Sequence, residues 1–342
     1  MWWLVRSVEP AGLRMLALQR HVRQYSSARA PRAVSLSGMA RLTLMPDPAT
    51  QSPADPVQKA WLATNARGFA LGRPPTAPAP SSSSSWPTTP LEPFPSKKPS
   101  LLWRAASQLF VGAVGWWSIL MLRFFEKTHT YNLSALRHAL DHRPAGTPLI
   151  TIANHVSCLD EPLIWGTLNF ADFQPHRMRW SVGASDICFT NPVFSFFFGA
   201  GQTLPIVRGA GVYQPCMDFA VELLNAGRWI HIFPEGKVVQ TGNMIPFKWG
   251  VGQLIVRSAT TPVVVPIYHR GLEDVLPESF RPRIPRPFKR VDVLYGEPIE
   301  LDELLASHRK RGSDEQTMRK AVTDLLEARM HELKCEFERR VA

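Results

Sequence analysis

Cysteine is scarce in this sequence of 342 residues, which contains only 4. Cys158, Cys188, Cys216 and Cys335 have neither the density nor the spacing of a disulfide scaffold or a zinc site. The GxGxxG and P-loop motifs are also missing, and with them the usual sequence signs of a nucleotide site. We therefore expect no cofactor and no bound metal.

Acidic residues are scarce only at the start of the chain. Residues 1–100 contain 12 basic and 4 acidic residues, whereas residues 101–342 contain 27 and 24. Of the formal charge of +11, the first hundred residues thus carry +8 and the remainder +3. A nucleic-acid-binding domain is usually strongly basic in its folded part. We therefore expect no nucleic-acid partner.

The N-terminal region resembles an organellar targeting segment. Before Asp47 the only acidic residue is Glu9, while arginines recur among Ser, Ala and Leu without a single lysine. This composition predicts a mitochondrial targeting segment over residues 1–46, with a disordered basic tail as the alternative. Residues 47–100 are expected to be a Pro/Ser-rich linker, since nine prolines and the run Ser81–Ser85 fall within or beside 74–99.

An uncharged segment of 18 residues, 105–122, follows Arg104 and ends before Arg123. Eighteen residues is the lower limit for a membrane span, and tryptophan side chains favour the headgroup boundary. Three interpretations stay open, in falling order of preference: an interfacial anchor, a full span and a buried core helix. We expect a membrane-anchoring helix over residues 101–127. A second apolar stretch, Pro192–Gly199, fits membrane contact and core burial equally well.

Beyond residue 128 the pattern alternates between short β-branched runs and helical periodicity. The alternation predicts an α/β fold with a mixed, largely parallel β-sheet flanked by helices. The strands are expected at 147–153, 229–233, 262–268 and 291–295. The helices are expected at 132–142, 161–168, 215–225, 251–258 and 314–340.

His155 and Asp160 lie at the carboxyl end of the first of these strands, where ligands bind in open α/β sheets. In a continuous helix the five-residue spacing would separate the two side chains by about 140°. They can meet only if the chain bends between them. Asp160 would then hold one imidazole nitrogen and leave the other free to accept a proton from a hydroxyl. The alternative is a helix-capping Asp beside a polar loop His.

Further motifs in the same order resemble those of the glycerophospholipid acyltransferases. His155 and Asp160 match the first motif, and Ile206-Val-Arg-Gly209 resembles the second. Phe233-Pro-Glu-Gly236 matches the third and Val265-Pro266 the fourth. The resemblance covers roughly residues 101–340, so an acyltransferase domain is expected over 128–342, with a fold like that of the glycerol-3-phosphate acyltransferases.

The resemblance implies roles for these residues. His155 and Asp160 would be catalytic, and Arg208 would bind substrate phosphate. Glu235, Gly236, Asn154 and Ser157 would also belong to the substrate site, with Asn154 and Ser157 supporting the dyad by hydrogen bonds.

Lys237 and Val238 stand where acyl-CoA-dependent members usually carry Ser or Thr and then Arg. This departure weakens the case for an acyl-CoA-dependent enzyme. Five runs resemble instead a mitochondrial branch of the family, the phospholipid–lysophospholipid transacylases that remodel cardiolipin without CoA: Asn154–Asp160, Met178–Trp180, Ala184–Thr190, His231–Lys237 and Phe247–Gly252. The alternative is an acyl-CoA-dependent lysophospholipid acyltransferase of the 1-acylglycerophosphate type.

The partners implied by that branch are membrane phospholipids, namely cardiolipin, monolysocardiolipin and phosphatidylcholine. The implied location is peripheral or monotopic, on mitochondrial membranes that face the intermembrane space. Residues 281–290 add five basic residues and no acid. Such a loop could be a solvated surface or could contact anionic headgroups, at about 1 kcal/mol per charge.

Overall fold

A computed structural model describes residues 100–279 and 284–342 of the chain. The expected targeting segment, the linker up to residue 99 and residues 281–283 of the basic loop lie outside the described residues. The helices, in chain order, are α1 Leu101–Leu120, α2 Leu133–Asp141, α3 Asp160–Leu163, α4 Ser185–Cys188, α5 Pro192–Ala200, α6 Pro215–Asn225, α7 Gly250–Arg257, α8 Leu272–Val275, α9 Asp302–Lys310 and α10 Glu315–Val341.

Seven strands of the described residues form one sheet in the order β1-β7-β6-β2-β5-β3-β4. Every neighbouring pair is parallel except β6 and β7. This is the mixed, largely parallel sheet that the sequence predicted. The strands are β1 Lys127–Tyr131, β2 Leu149–Ala153, β3 Trp180–Ala184, β4 Thr203–Ile206, β5 Trp229–Ile232, β6 Val263–Arg270 and β7 Arg290–Tyr295.

The strand directions define two edges of the sheet. The carboxyl ends of β2, β3, β4, β5 and β6 share one edge, which we call the site edge. β7 runs antiparallel to β6, and its Asp292 pairs with Arg270 at the carboxyl end of β6. The first residue of β7, Arg290, comes two positions before Asp292 and therefore also lies at this edge. β1 is parallel to β7 and pairs Lys127 with Arg290. The chain therefore enters both β1 and β7 from the site edge.

The core lies on both faces of the sheet because successive strand side chains point to opposite sides. In β2, Ile150 and Ile152 pack with α6, α7 and α10, whereas Leu149 and Ala153 pack with α1, α2 and the segment after α3. The C-terminal helix begins at the cap Asp314, whose carboxylate accepts from the Thr317 N–H at 2.9 Å. Its fully buried Phe337 contacts Tyr268 of β6, with ring centroids 5.0 Å apart.

Helix α1 has two unlike faces. Ser107, Gly115 and Ser118 are buried against the domain, and a Cβ atom at Gly115 would lie 2.1 Å from the Phe173 ring. The outward face carries the larger apolar side chains, including Leu109 (69% exposed) and Trp116 (53% exposed). Within the described residues, 101–125 is the one helix long and apolar enough to cross a membrane, and 28% of it is buried. A soluble amphipathic helix would bury its large apolar side chains instead.

The segment after α1 is joined to the basic loop. A π-helical turn, Met121–Phe125, precedes β1. Phe288 donates its backbone N–H to the Phe125 carbonyl at 2.6 Å, and the Lys289 N–H donates to the Glu126 carboxylate at 2.7 Å. Phe288 has φ 63°, a left-handed conformation that is uncommon for a bulky residue, and its side chain is 68% exposed.

Several elements were missed or misjudged from the sequence. The strands β1, β3 and β4 were not predicted, because Lys127–Tyr131 is polar and the other two contain Gly183 and Pro205, residue types that are uncommon inside strands. The predicted helix at 161–168 divides into α3 and a 3₁₀ turn, Ile164–Thr167. Pro192–Ala200 is a helix capped by Asn191, whose side chain accepts from the Phe194 N–H.

Candidate active site

The turn after β2 brings His155 and Asp160 together as the sequence predicted. Nδ1 of His155 lies 2.9 Å from Oδ2 of Asp160, which is fully buried. The same oxygen accepts the backbone N–H of Val156 at 2.6 Å and of Ser157 at 2.8 Å. Asp160 is thus fixed by its own turn before it contacts the imidazole.

The second nitrogen of His155 is available for chemistry. A carboxylate can only accept, so Nδ1 carries the hydrogen and Nε2 keeps its lone pair. Nε2 makes no hydrogen bond to any described residue, and the side chain is 19% exposed. The imidazole stacks on Phe233 with centroids 4.1 Å apart and planes 16° apart. The ring is therefore held on one face and at one nitrogen, and the remaining nitrogen can act as a general base.

Glu235 links the β2 turn to the loop after β5. Its Oε1 accepts the backbone N–H of His155 at 3.1 Å, and its Oε2 accepts that of Ile245 at 3.5 Å. Burial raises the pKa of this carboxyl, while the two backbone donors oppose the rise. The adjoining Gly236 has φ 69° and completes the turn with a bond from its N–H to the Phe233 carbonyl at 3.0 Å. Glu235 thus holds the backbone that carries His155.

Asn154 and Ser157 were expected to support the dyad by hydrogen bonds. The Asn154 side chain exchanges two backbone hydrogen bonds with His269, at 2.9 and 3.0 Å, and none with the dyad. The Ser157 hydroxyl is fully buried and accepts only the Leu159 N–H, at 3.3 Å. Among the described residues, Asp160 accepts a hydrogen bond from the Ser157 backbone, and neither of the two side chains bonds to the dyad. The contribution of Ser157 is its backbone N–H, and Asn154 joins β2 to β6.

Arg208 is placed at the far side of the site edge. It follows β4, which lies three strands from β2, a separation of about 14 Å at the usual strand spacing. Its guanidinium is half exposed and pairs with Asp186, which is also exposed and follows β3. An exposed pair of this kind contributes about 0–1 kcal/mol, so an incoming phosphate could displace the carboxylate. Arg208 shares the edge with the dyad without touching it.

A buried polar cluster behind the dyad was not predicted. Glu161 pairs with Arg179 at 2.5 Å, and its other oxygen is 3.8 Å from Nε2 of His231. Burial raises the pKa of Glu161, opposed by the Arg179 charge, and burial lowers the pKa of His231 well below 6.5. His231 also packs edge-on against Phe233, which stacks on His155. Only the position of Glu161 next to Asp160 could have indicated this cluster.

The described residues contain no group of three or more His, Cys, Asp or Glu side chains arranged to hold a metal ion. The site edge carries the imidazole of His155, its carboxylate partner Asp160 and the cationic Arg208. This set fits the deprotonation of a hydroxyl near a bound phosphate.

The chain matches a known family and several known proteins. Residues 136–270 match the family described as Acyltransferase. The chain is 39% identical over 244 residues to a protein named Tafazzin from Drosophila melanogaster, covering 71% of this chain and 64% of that protein. It is 46% identical over 182 residues to an N-acylphosphatidylethanolamine synthase from Arabidopsis thaliana, covering 52% and 64%.

One solved structure also overlaps with this chain. The 1-acyl-sn-glycerophosphate acyltransferase PlsC of Thermotoga maritima is 19% identical, with a TM-score of 0.45, over 66% of this chain and 79% of that one. The matched regions of the two curated relatives span 64% of their lengths. The family match and the match to the Drosophila protein named Tafazzin bear out the resemblance to the acyltransferases that the motifs indicated.

Proposed function

We propose that this chain, which contains an acyltransferase domain and is similar to the tafazzins, is a phospholipid–lysophospholipid transacylase that acts without CoA. The observation that carries the proposal is the His155–Asp160 pair, with Nε2 of His155 free at the site edge. A substrate that brings its own hydroxyl needs a base and no covalent nucleophile. The Ser157 hydroxyl, buried and turned to its own loop, supports this assignment.

In the proposed reaction, Nε2 of His155 takes the proton from a lysophospholipid hydroxyl, and that oxygen attacks the ester carbonyl of a second phospholipid. A new ester bond forms as the old bond between carbonyl carbon and glycerol oxygen breaks. The imidazolium then returns its proton to the departing oxygen. Asp160 stabilises the imidazolium, in the manner of the acid in a serine-protease triad. Proton transfer of this kind contributes about 10²–10⁴ in rate.

The absence of a CoA requirement follows from the balance of the reaction. Both the attacking and the leaving groups are glycerol hydroxyls, so the transfer is close to thermoneutral and reversible. Arg208 would bind the phosphate of one lipid through its planar guanidinium. We propose monolysocardiolipin as the acceptor and phosphatidylcholine as the donor, which makes cardiolipin remodelling the net result.

Membrane contact is proposed through α1 and the basic loop. The outward side chains of α1 form an apolar surface, and its small inner side chains fix it along the domain. That arrangement favours an interfacial helix over a span. At the end of α1, the exposed Phe124 and Phe288 lie beside the basic Lys289. Aromatic rings with flanking cations suit an anionic lipid surface.

The location in mitochondria remains a proposal that depends on residues 1–46. A fusion of those residues to a fluorescent protein should be imported into mitochondria, and replacement of its arginines by glutamine should abolish import. Import of the substituted fusion would contradict the targeting role.

One assay tests the reaction. Purified full-length protein is added to liposomes containing phosphatidylcholine with a labelled acyl chain and monolysocardiolipin, with and without acyl-CoA. Label in cardiolipin without CoA supports the proposal. Strict dependence on acyl-CoA would instead make the protein an acyl-CoA-dependent lysophospholipid acyltransferase.

A third arm adds phosphatidylethanolamine, because one relative is named for the synthesis of its N-acyl form. An amide product in that arm, with no cardiolipin label, would replace the proposal by N-acylation.

Membrane contact has a separate test. Leu109→Glu with Trp116→Glu should release the full-length protein from sedimenting liposomes, because both side chains are exposed on the outward face of α1. His331→Glu, at an exposed position of α10, is the matched control and should leave sedimentation unchanged. Equal sedimentation of all three proteins would contradict the assignment of this face.

A further inference from the structure

A cavity of about 130 Å³ lies beside the candidate active site, at the carboxyl end of β6. Asn154 and Glu235, which adjoin His155 in sequence and by hydrogen bond, form part of its wall. The end of β6, helix α8 and the C-terminal helix supply further wall residues, including Tyr268, Arg270, Glu273, Phe337 and Glu338.

The wall carries charges of both signs around one aromatic pair. The Arg270 guanidinium lies over the Phe337 ring at 5.4 Å from its centroid. Burial, together with the charges of Glu338, Glu273 and Glu235 and against that of Arg270, raises the pKa of Tyr268 to about 12. Four charged groups of the wall therefore act on a single phenol. Lys334 is 3.7 Å from Glu338 and offsets part of the negative charge.

A buried acceptor adds to this wall. His269 is 1% exposed and borders the cavity. Its Nε2 lies 2.9 Å from the Asn154 carbonyl, which can only accept, so Nδ1 keeps a lone pair. Nδ1 has no hydrogen-bond partner among the described residues. This buried acceptor without a partner adds to the polar character of the wall.

We propose that this cavity binds a zwitterionic phospholipid headgroup, which carries both a phosphate and an ammonium. This inference rests on the proposed function. Arg270 would take the phosphate, while Glu273, Glu338 and the rings of Tyr268 and Phe337 would take the ammonium. A headgroup with a phosphate and no amine could pair with Arg270 but would offer no cation to Glu273 and Glu338.

The position of the cavity suits a reaction that needs two lipids at once. β6 borders β2 on one side, whereas Arg208 follows β4, three strands away on the other side. His155 therefore lies between a mixed-charge cavity and the exposed pair of Arg208 with Asp186. The zwitterionic lipid would occupy the cavity while Arg208 holds the phosphate of an anionic partner, and the hydroxyl and ester would meet at Nε2.

Binding can be measured without turnover. Saturation-transfer NMR of the full-length protein in a non-ionic detergent would compare two water-soluble headgroups, glycerophosphocholine and glycerophosphoglycerol. We expect saturation transfer to glycerophosphocholine, weakened at least about tenfold by Glu273→Gln with Glu338→Gln. Glu332→Gln, on the same helix and outside the cavity wall, is the matched control and should bind as the unsubstituted protein does. Equal binding of the two headgroups, or unchanged binding by the double variant, would overturn the proposal.

The liposome assay separates this inference from the proposed function. With monolysocardiolipin as acceptor, labelled phosphatidylcholine and labelled phosphatidylglycerol are compared as donors. The double variant should lose most of the preference for phosphatidylcholine. If the double variant is active and its ratio of phosphatidylcholine to phosphatidylglycerol use is unchanged, the proposed role of the cavity is wrong, and the transacylase proposal is unaffected. If the unsubstituted protein transfers no label, the proposed transacylase function is wrong. The NMR result would still show whether the cavity binds the headgroup.

Discussion

The centre and the far side of the site edge are built in opposite ways. At the centre, Asp160 is fully buried and accepts three hydrogen bonds, and His155 is held by Asp160, Phe233 and a backbone bond to Glu235. On the far side, Arg208 is half exposed and has one ion pair with an exposed carboxylate.

This difference fits the two tasks proposed for these residues, proton transfer by His155 and phosphate binding by Arg208. Proton transfer requires heavy atoms within hydrogen-bond reach and in a fixed direction, so the base must be positioned before the substrate arrives. A phosphate can be attracted by a charge whose side chain is still mobile, because Coulomb attraction depends weakly on direction. Substitutions at the centre should therefore reduce the rate of chemistry, and those on the far side should weaken binding.

The largest effect is expected at the centre. His155→Ala and Asp160→Asn should each lower kcat by about 10²–10⁴ with little change in KM, because the base or its orienting partner is lost. Label transfer in the liposome assay measures this, with thermal unfolding as the check on folding. Near-normal turnover by either folded variant would remove that residue from the catalytic dyad.

A smaller effect is expected on the far side. Arg208→Ala should raise KM by about 10- to 100-fold with kcat nearly kept, since a charged hydrogen bond contributes about 1.5–3 kcal/mol. Asp186→Asn is the matched test: it removes the competing carboxylate and should lower KM. If Arg208→Ala lowers kcat and leaves KM unchanged, Arg208 acts in the chemical step as His155 does, and the proposed difference between the centre and the far side is wrong.

The pH dependence of stability should expose the buried His231 behind the centre. Its pKa is lowered well below 6.5 in the folded chain, so the unfolded chain binds the proton first as the pH falls. The free energy of unfolding should then drop below about pH 6.5, by up to about 1.4 kcal/mol per pH unit for one group. His231→Asn should remove this part of the slope in urea titrations at several pH values. Parallel slopes for the two proteins would show that His231 titrates alike in both states.

The smallest effect is expected for Ser157→Ala. The variant loses one 3.3 Å bond to the Leu159 N–H, at a cost of about 0.5–1.5 kcal/mol in unfolding free energy. Turnover should stay within about twofold of the unsubstituted protein, because a backbone N–H and not the hydroxyl contacts Asp160. A loss as large as that of His155→Ala would mean that Ser157 is a nucleophile.

Sequence reasoning predicted the centre better than its surroundings. His155 and Asp160, five residues apart after a β-branched strand, can meet only if the chain bends between them. The structure has that bend, and the two side chains are joined by a hydrogen bond. Arg179 could not be placed this way, because it meets Glu161 only through the pairing of strands whose order is not local information. Glu338, which comes 183 residues after His155 in the sequence, borders the cavity from the C-terminal helix. Short edge strands such as β1 were missed because pairing with β7, not their own apolar content, stabilises them.

The single antiparallel pair, β6 with β7, has a kinetic consequence. It brings Phe288 and the end of α1 to the same edge as His155. If that edge rests on a bilayer as proposed, both substrates arrive by lateral diffusion and neither has to leave the lipid phase. The rate would then follow the mole fraction of each lipid in the surface and not its bulk concentration. Dilution of the substrates with an inert lipid at constant total substrate would slow the enzyme, while dilution of the whole suspension with buffer would not.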